Sequence, residues 1–163
     1  DPLVRNRGTI GGSIANNDPA ADYPAALLAL SGVVVTNQRD IAADDFFTGM
    51  FSTALESSEL ITRLRFDIPK RAAYAKYPNP ASRYAMVGVF VADTATGVRV
   101  AVTGAGPCVF REAALAKRFA PDALEGLSVP ADNLNNDLHG SAEYRASLVC
   151  VMAKRAVAAA LGG

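Results

Sequence analysis

A segment near the start of the chain carries the groups that a phosphate-bearing ligand requires. Residues 9–13 read TIGGS, with adjacent glycines at Gly11 and Gly12. Two glycines let a ligand approach the main chain closely, and consecutive exposed N–H groups bind anions. The hydroxyl groups of Thr9 and Ser13 add short side-chain donors. This combination suits the pyrophosphate of a dinucleotide, and a plain tight turn is the alternative interpretation.

Two further polar residues follow this segment. Asn16 supplies an amide, and Asp22 supplies a carboxylate that can accept hydrogen bonds from sugar hydroxyls. As the alternative, Asp22 is the N-cap of a short Ala/Leu-rich helix. The glycine spacing matches neither G-x-G-x-x-G nor a P-loop, because no G-K-[ST] follows it. The sequence therefore does not predict hydrolysis of a magnesium-bound nucleotide.

The composition argues against several other function classes. The 163 residues include 16 basic and 16 acidic side chains, so the formal net charge is zero. That balance argues against a general nucleic-acid binder, which needs a basic surface. The single histidine, His139, lies in a polar stretch, and no Cys/His cluster has metal-ligand spacing. We therefore predict no catalytic residue and no metal site, and no apolar run is long enough to span a bilayer.

The hydrophobic pattern predicts an α+β fold, because helices and antiparallel strands do not alternate regularly. Glycine and short polar residues in 5–24 predict a loop that leads into a turn. Arg145, on the last predicted helix, is expected to be a solvated charge. The other predicted elements are helices at 24–30, 110–119 and 141–161, strands at 33–36 and 59–68, and a hairpin of 85–93 with 98–103.

Five stretches resemble one protein family, and they occur in the family's order. RNRGTIGGSIANNDPAADYPAALLAL resembles the second flavin-binding motif in the FAD subunits of molybdenum hydroxylases. The similarity continues in ELITRLRFDIP, YAKYPNPASRYAMVGVFVA and VRVAVTGAGPCVFR, and SAEYRASLVCVMAKRA resembles the family's C-terminal helix. The family includes the medium subunit of aerobic carbon monoxide dehydrogenase and the flavin domain of xanthine dehydrogenase.

The resemblance implies a division of the chain and a set of site residues. Residues 1–69 resemble the second part of an α+β FAD-binding domain, and residues 70–163 a small C-terminal domain of antiparallel sheet and helices. The residues that it assigns to FAD binding are Thr9, Ile10, Gly11, Gly12, Ser13, Asn16, Asp22, Ile61 and Lys76.

These residues have different implied roles. The TIGGS stretch contacts the FAD phosphates, and Asp22 binds FAD hydroxyls. Ile61 is an apolar residue beside the flavin, and a strand core residue is the alternative. Lys76 lies near the flavin ring, where its charge would stabilise an anionic reduced flavin, and an ordinary surface lysine is the alternative.

The resemblance also implies a function and partners. In this family, electrons pass from iron–sulfur clusters through FAD to an acceptor. The partners are a small iron–sulfur subunit and a large molybdopterin subunit, and the expected location is the cytoplasm. Two alternative hypotheses remain open. One is a non-catalytic scaffold derived from a flavin domain, and the other is an unrelated small-ligand binding module.

One motif of the family has no match in the chain. The family's first FAD motif is a glycine-rich loop similar to A-G-G-x-S, and no such segment is present. The first residue is Asp1 rather than Met. We therefore expect the sequence to be part of a longer subunit, and we expect these 163 residues alone to bind FAD weakly or not at all.

Overall fold

The first described segment is helical. The computed structural model describes residues 2–162; Asp1 and Gly163, the outer bounds of the two predicted domains, lie outside the described residues. The prediction of a loop over 5–24 is wrong, because α2 forms within it. The Thr9 hydroxyl caps α2 by accepting a hydrogen bond from the Gly12 N–H at 2.9 Å. The helices of this segment are α1 (Pro2–Arg7), α2 (Ile10–Asn16) and α3 (Tyr23–Ala29).

A small antiparallel sheet follows α3, in the order β2-β1-β5. The expected strand after α3 is present, and the predicted strand over 59–68 is shorter than expected. Leu60 and Ile68, at the ends of that prediction, are exposed to solvent outside the strand. The elements of this region are β1 (Val33–Thr36), β2 (Asp40–Ala42), α4 (Ala43–Phe46), β3 (Phe47–Gly49), β4 (Ser52–Thr53) and β5 (Ile61–Arg65).

The second sheet is antiparallel, in the order β6-β7-β8-β9. Its central strands form the predicted hairpin, and Gly97 in the turn has φ of +119°, which glycine adopts readily. Lys76 on β6 pairs with Gly88 on β7, which pairs with Thr103 on β8. The strands are β6 (Arg71–Pro78), β7 (Ala85–Thr94), β8 (Gly97–Thr103) and β9 (Phe110–Arg111).

The C-terminal part of the chain is helical at its end. The predicted helix over 110–119 is wrong at its start, because Phe110 pairs with Val102 in the sheet. Only α5 (Ala113–Ala116) is an α-helix there, followed by a 3₁₀ turn at Asp122–Leu124. The predicted terminal helix is confirmed as α6 (Ala142–Ala160), with the Ser141 hydroxyl accepting from the Tyr144 N–H at 3.2 Å.

Helices cover both faces of the second sheet, and each face builds a hydrophobic core. Valines of β7 and β8 pack against Val149, Met152 and Ala156 of α6. Ala92 and Ala101, on the other face, belong to the core that surrounds α3. This arrangement of helices on antiparallel sheets confirms the predicted α+β class.

Arg145 on α6 corrects another prediction. It is not a solvated charge but is 4% exposed. Its guanidinium donates to the carbonyl oxygens of Met86 at 2.8 Å and Gly104 at 3.1 Å. It also forms a two-pronged contact with the Asp137 carboxylate, at 2.8 and 3.0 Å. The buried charge is thus compensated by hydrogen bonds, as a buried cation requires.

Candidate functional site

The start of α2 presents backbone donors to solvent. In the first turn of a helix, the leading N–H groups have no carbonyl partner within the helix. Those of Ile10 and Gly11 are such groups, whereas the Gly12 N–H is bonded to Thr9. A Cβ added at Gly12 would lie 2.9 Å from the Thr9 hydroxyl oxygen, so the absence of a side chain at Gly12 lets the Thr9 hydroxyl approach the helix backbone. Thr9, Ile10 and Gly12 are exposed, which leaves the donors accessible to an anion.

Ile61 lies beside this helix start. A Cβ added at Gly11 would be 3.9 Å from the Ile61 Cγ2 atom, so β5 places Ile61 against the glycine pair. The Ile61 side chain is half-buried and packs on the core around α3. Its exposed part can contact a ligand while its buried part supports the strand. The structure therefore brings Ile61 together with the TIGGS segment.

Asp22 is connected to Lys76, although 54 residues separate them. The Asp22 side chain makes no capping hydrogen bond to α3. Instead, one oxygen accepts from the Tyr74 hydroxyl at 2.5 Å, and the other accepts from the Lys76 ammonium at 2.8 Å. Asp22 thus occupies the N-cap position of α3, but its side chain does not cap the helix. The structure places two of the predicted site residues in one ion pair, with Tyr74 as a third member.

The pleat of β6 explains this convergence. Tyr74 and Lys76 are two residues apart, so they project from the same face of the strand. Gly88 lies opposite Lys76 on β7, and a Cβ there would overlap the Tyr74 hydroxyl. The glycine thus leaves room for the phenol. Burial, together with the nearby negative charge of Asp22, raises the pKa of Tyr74 far above its usual range.

The segment that carries Asp22 is fastened to the end of the second sheet. The Thr103 hydroxyl contacts the carbonyl oxygens of Ala21 at 2.7 Å and Pro19 at 3.0 Å. The Gly104 N–H donates to the Pro19 carbonyl at 2.8 Å, and the Ala85 N–H donates to Ala20 at 3.3 Å. Thr103, Gly104 and Ala85 thereby fix the position of the backbone that leads into Asp22.

Asn16 is separated from the helix start, and its neighbour Asn17 has a structural role that the sequence did not indicate. Asn16 is exposed at the last position of α2, about 10 Å along the axis from Thr9. Asn17 is buried, adopts the left-handed conformation with φ of 45° and ends the helix. Its side-chain amide donates to Gly49 and Ser52 carbonyls, both at 2.8 Å. The available signal was the asparagine itself, since Asn tolerates the left-handed conformation that ends a helix.

Metal-ligand clusters, membrane-spanning helices and two surface pockets add nothing to the predicted site residues among residues 2–162. Between residues 2 and 162, no group of three or more His, Cys, Asp and Glu side chains could hold a metal ion. In the same range, no helix is both long and apolar enough to cross a membrane. Two surface pockets of about 210 and 250 Å³ are lined by residues such as Phe47 and Cys150, and neither includes a predicted site residue.

Comparison with known proteins places the chain in a class. Residues 1–70 match the FAD binding domain in molybdopterin dehydrogenase. The nicotine 6-hydroxylase medium subunit of Paenarthrobacter nicotinovorans is 36% identical, over 96% of this chain and 62% of the relative. The carbon monoxide dehydrogenase medium chain of Hydrogenophaga pseudoflava is 33% identical, over 98% of this chain and 63% of the relative.

A solved structure agrees with these relatives. In the reconstituted CO dehydrogenase from Oligotropha carboxidovorans, one chain aligns with a TM-score of 0.82 at 28% identity. The alignment covers 99% of this chain and 64% of that chain. Residues 1–70 therefore match an FAD-binding domain, and the chain is similar along almost its whole length to the medium subunits of molybdenum hydroxylase-type dehydrogenases. It spans somewhat less than two thirds of the length of the relatives that it matches.

Proposed function

We propose that the chain is the FAD-binding part of an oxidoreductase subunit. The observation that carries this proposal is similarity to medium subunits along almost the whole chain, with residues 1–70 matching an FAD-binding domain. The geometry supports it, because exposed backbone donors and the apolar Ile61 side chain lie together at the start of α2, and the Asp22 carboxylate is held by Tyr74 and Lys76. When bound, FAD supplies the capacity to accept and release electrons.

The residues at the start of α2 bind the phosphates in this proposal. The free N–H groups of Ile10 and Gly11 donate to phosphate oxygens, and the positive end of the helix dipole favours the negative charge. The hydroxyls of Thr9 and Ser13 lie in the same turn and add polar contacts. Gly12 keeps this surface free of a side chain. Ile61 shields one side of the bound group from water.

Asp22 binds hydroxyl groups of the cofactor. A carboxylate accepts several hydrogen bonds, so its contacts with Tyr74 and Lys76 leave lone pairs for a ligand. The Lys76 charge is partly offset by Asp22 at 2.8 Å. With FAD bound, the Lys76 ammonium would therefore favour negative charge on the flavin less than an unpaired lysine would. Asn16, at the far end of α2, binds a different portion of the cofactor from the phosphates.

The wider function follows from the family. We propose that electrons reach the flavin from iron–sulfur clusters and leave to an external acceptor. The partners are an iron–sulfur small subunit and a molybdopterin-bearing large subunit, and the complex works in the cytoplasm. Relatives that are named as medium chains of carbon monoxide dehydrogenase support a place among several subunits. These residues need only bind and orient the cofactor, and none acts as an acid or base.

The proposed division into units at 1–69 and 70–163 keeps the flavin residues mostly in the first unit. Lys76 is the exception, because it reaches the site from β6. The core around α3 includes Ala92 and Ala101 from the second sheet, which supports tight packing between the units. The second unit thus contributes one site residue and fixes the Asp22 segment.

The test is to produce the protein together with its proposed iron–sulfur and molybdopterin partner subunits and to measure the cofactor content of the purified complex. We expect about one FAD per chain, together with iron and molybdenum. A complex that retains both metals but no FAD would contradict the proposal and favour the scaffold hypothesis.

A charge variant tests the phosphate contacts. Ile10→Asp places a negative charge at the exposed first position of α2, where it favours the helix but repels phosphate. We expect FAD affinity to fall about tenfold. Ala113→Asp, at the exposed first position of α5, adds the same charge away from the site and serves as the control. Equal FAD affinity in both variants would contradict this placement of the phosphates.

A further inference from the structure

We propose that Tyr74 is a positioning residue of the flavin site, which fixes the Asp22 carboxylate for a hydroxyl group of the cofactor. This inference rests on the proposed function, because it assumes that Asp22 binds FAD. It adds a residue that the family resemblance did not assign. The contact between the Tyr74 hydroxyl and Asp22 measures 2.5 Å, at the short end of the usual range for a hydrogen bond from a hydroxyl to a carboxylate.

Asp22 accepts one hydrogen bond at each of its two carboxylate oxygens, and these two contacts restrain the group. Tyr74 binds one oxygen and Lys76 binds the other, both from β6. The backbone before Asp22 is held by the second sheet through Thr103 and Gly104. A carboxylate held in this way cannot rotate freely. A ligand hydroxyl then meets an acceptor that is already oriented, which lowers the entropy lost on binding.

Tyr74 is itself fixed by its surroundings. Its ring stacks on Phe90, with centroids 6.1 Å apart and an interplanar angle of 29°. Gly88 provides the space for its hydroxyl group. Burial keeps the pKa of Tyr74 far above its usual range, so the phenol stays protonated and donates to Asp22. The tyrosine therefore remains a neutral donor at any working pH.

The test compares FAD binding by variants of the protein in the complex with its partner subunits. Tyr74→Phe removes the hydroxyl and keeps the ring on Phe90, and Asp22→Asn removes the carboxylate charge. We expect Tyr74→Phe to weaken FAD binding about tenfold. The double variant should bind no more weakly than Asp22→Asn alone, because Tyr74 acts through Asp22. Visible circular dichroism of the bound flavin should change in the same direction in both single variants.

Two further variants sharpen the test. Tyr77→Phe makes the same change on the opposite face of β6, where the hydroxyl contacts Tyr144 at 3.3 Å, so FAD affinity should not change. Gly88→Ala pushes the Tyr74 hydroxyl away from Asp22 and should weaken FAD binding as Tyr74→Phe does. Thermal unfolding of each variant identifies any that does not fold.

The outcomes separate this inference from the proposed function. Unchanged FAD affinity in Tyr74→Phe, with weakened affinity in Asp22→Asn, would overturn the role of Tyr74 and leave the flavin site intact. Losses that multiply in the double variant would also overturn it, since the two residues would then act separately. An unaltered protein that holds no FAD even in the complex with its partner subunits would contradict the proposed function itself.

Discussion

Replacement of the buried Arg145 by methionine should destabilise the protein strongly. Arg145 donates to the carbonyl oxygens of two buried residues, Met86 on β7 and Gly104 directly after β8. Methionine has a similar length and keeps the apolar packing of the side-chain stem, but it has no donor. The substitution therefore leaves two buried acceptors without this partner while changing the packed volume little.

The expected loss follows from these contacts. An acceptor that loses its hydrogen bond in a buried site costs about 1–3 kcal/mol, and the Gly104 carbonyl keeps a longer bond from the Asn135 amide at 3.4 Å. The Asp137 side chain is 43% exposed, so loss of that ion pair adds at most about 1 kcal/mol. The Arg145 Nε atom is buried without a partner among the described residues, and its removal offsets part of the cost. We expect the free energy of unfolding to fall by about 3 kcal/mol.

The assay is urea unfolding followed by far-ultraviolet circular dichroism. Arg155→Met is the matched control, because Arg155 lies on the same helix and is exposed. We expect this control to change the free energy of unfolding by less than about 0.5 kcal/mol. If Arg145→Met and Arg155→Met unfold at the same urea concentration, the buried hydrogen bonds of Arg145 do not stabilise the fold and the reasoning is refuted.

Two further predictions concern the first half of the chain. Hydrogen bonding to Arg39 lowers the pKa of the buried Glu59 carboxyl from 4.5 to about 2, so the ionised carboxylate stabilises the folded chain. This contribution to the free energy of unfolding is complete above pH 4.5 and is lost as the pH falls toward 2. Urea unfolding at a series of pH values should show this dependence in the unaltered chain and a weaker one in Glu59→Gln. Asn17→Gly keeps the left-handed backbone but loses the bonds to Gly49 and Ser52, which should cost about 2 kcal/mol. Asn17→Ala should lower the free energy of unfolding by about 1 kcal/mol more than Asn17→Gly, because alanine adds backbone strain in the left-handed conformation. Equal urea midpoints for the two variants would contradict this.

Elements with strong local patterns could be predicted from the sequence. The hairpin of β7 and β8 follows from two β-rich runs around a glycine turn, and α6 follows from its periodicity and from Ser141 as the cap. The helix α2 was missed because adjacent glycines disfavour helices. Thr9 was the signal that could have found it, since its hydroxyl caps the third residue of the helix.

Contacts between distant segments could not be predicted in the same way. The ion pair of Asp22 with Lys76 depends on how the Asp22 segment packs on the second sheet, which no local pattern encodes. Residues two apart in a strand project from the same face, so a strand over this segment would have predicted that Tyr74 and Lys76 lie side by side. Arg145 looked like an exposed charge because its partners are backbone carbonyls, and the sequence does not show where those lie.

A crystal structure of the complex with FAD bound is the most direct test of the proposed flavin site. We expect phosphate oxygens about 3 Å from the N–H groups of Ile10 and Gly11, and a cofactor hydroxyl at hydrogen-bond distance from Asp22. We also expect that Tyr74 still donates to the same carboxylate. Phosphates bound away from the start of α2, or an Asp22 carboxylate without contact to the cofactor, would contradict the account.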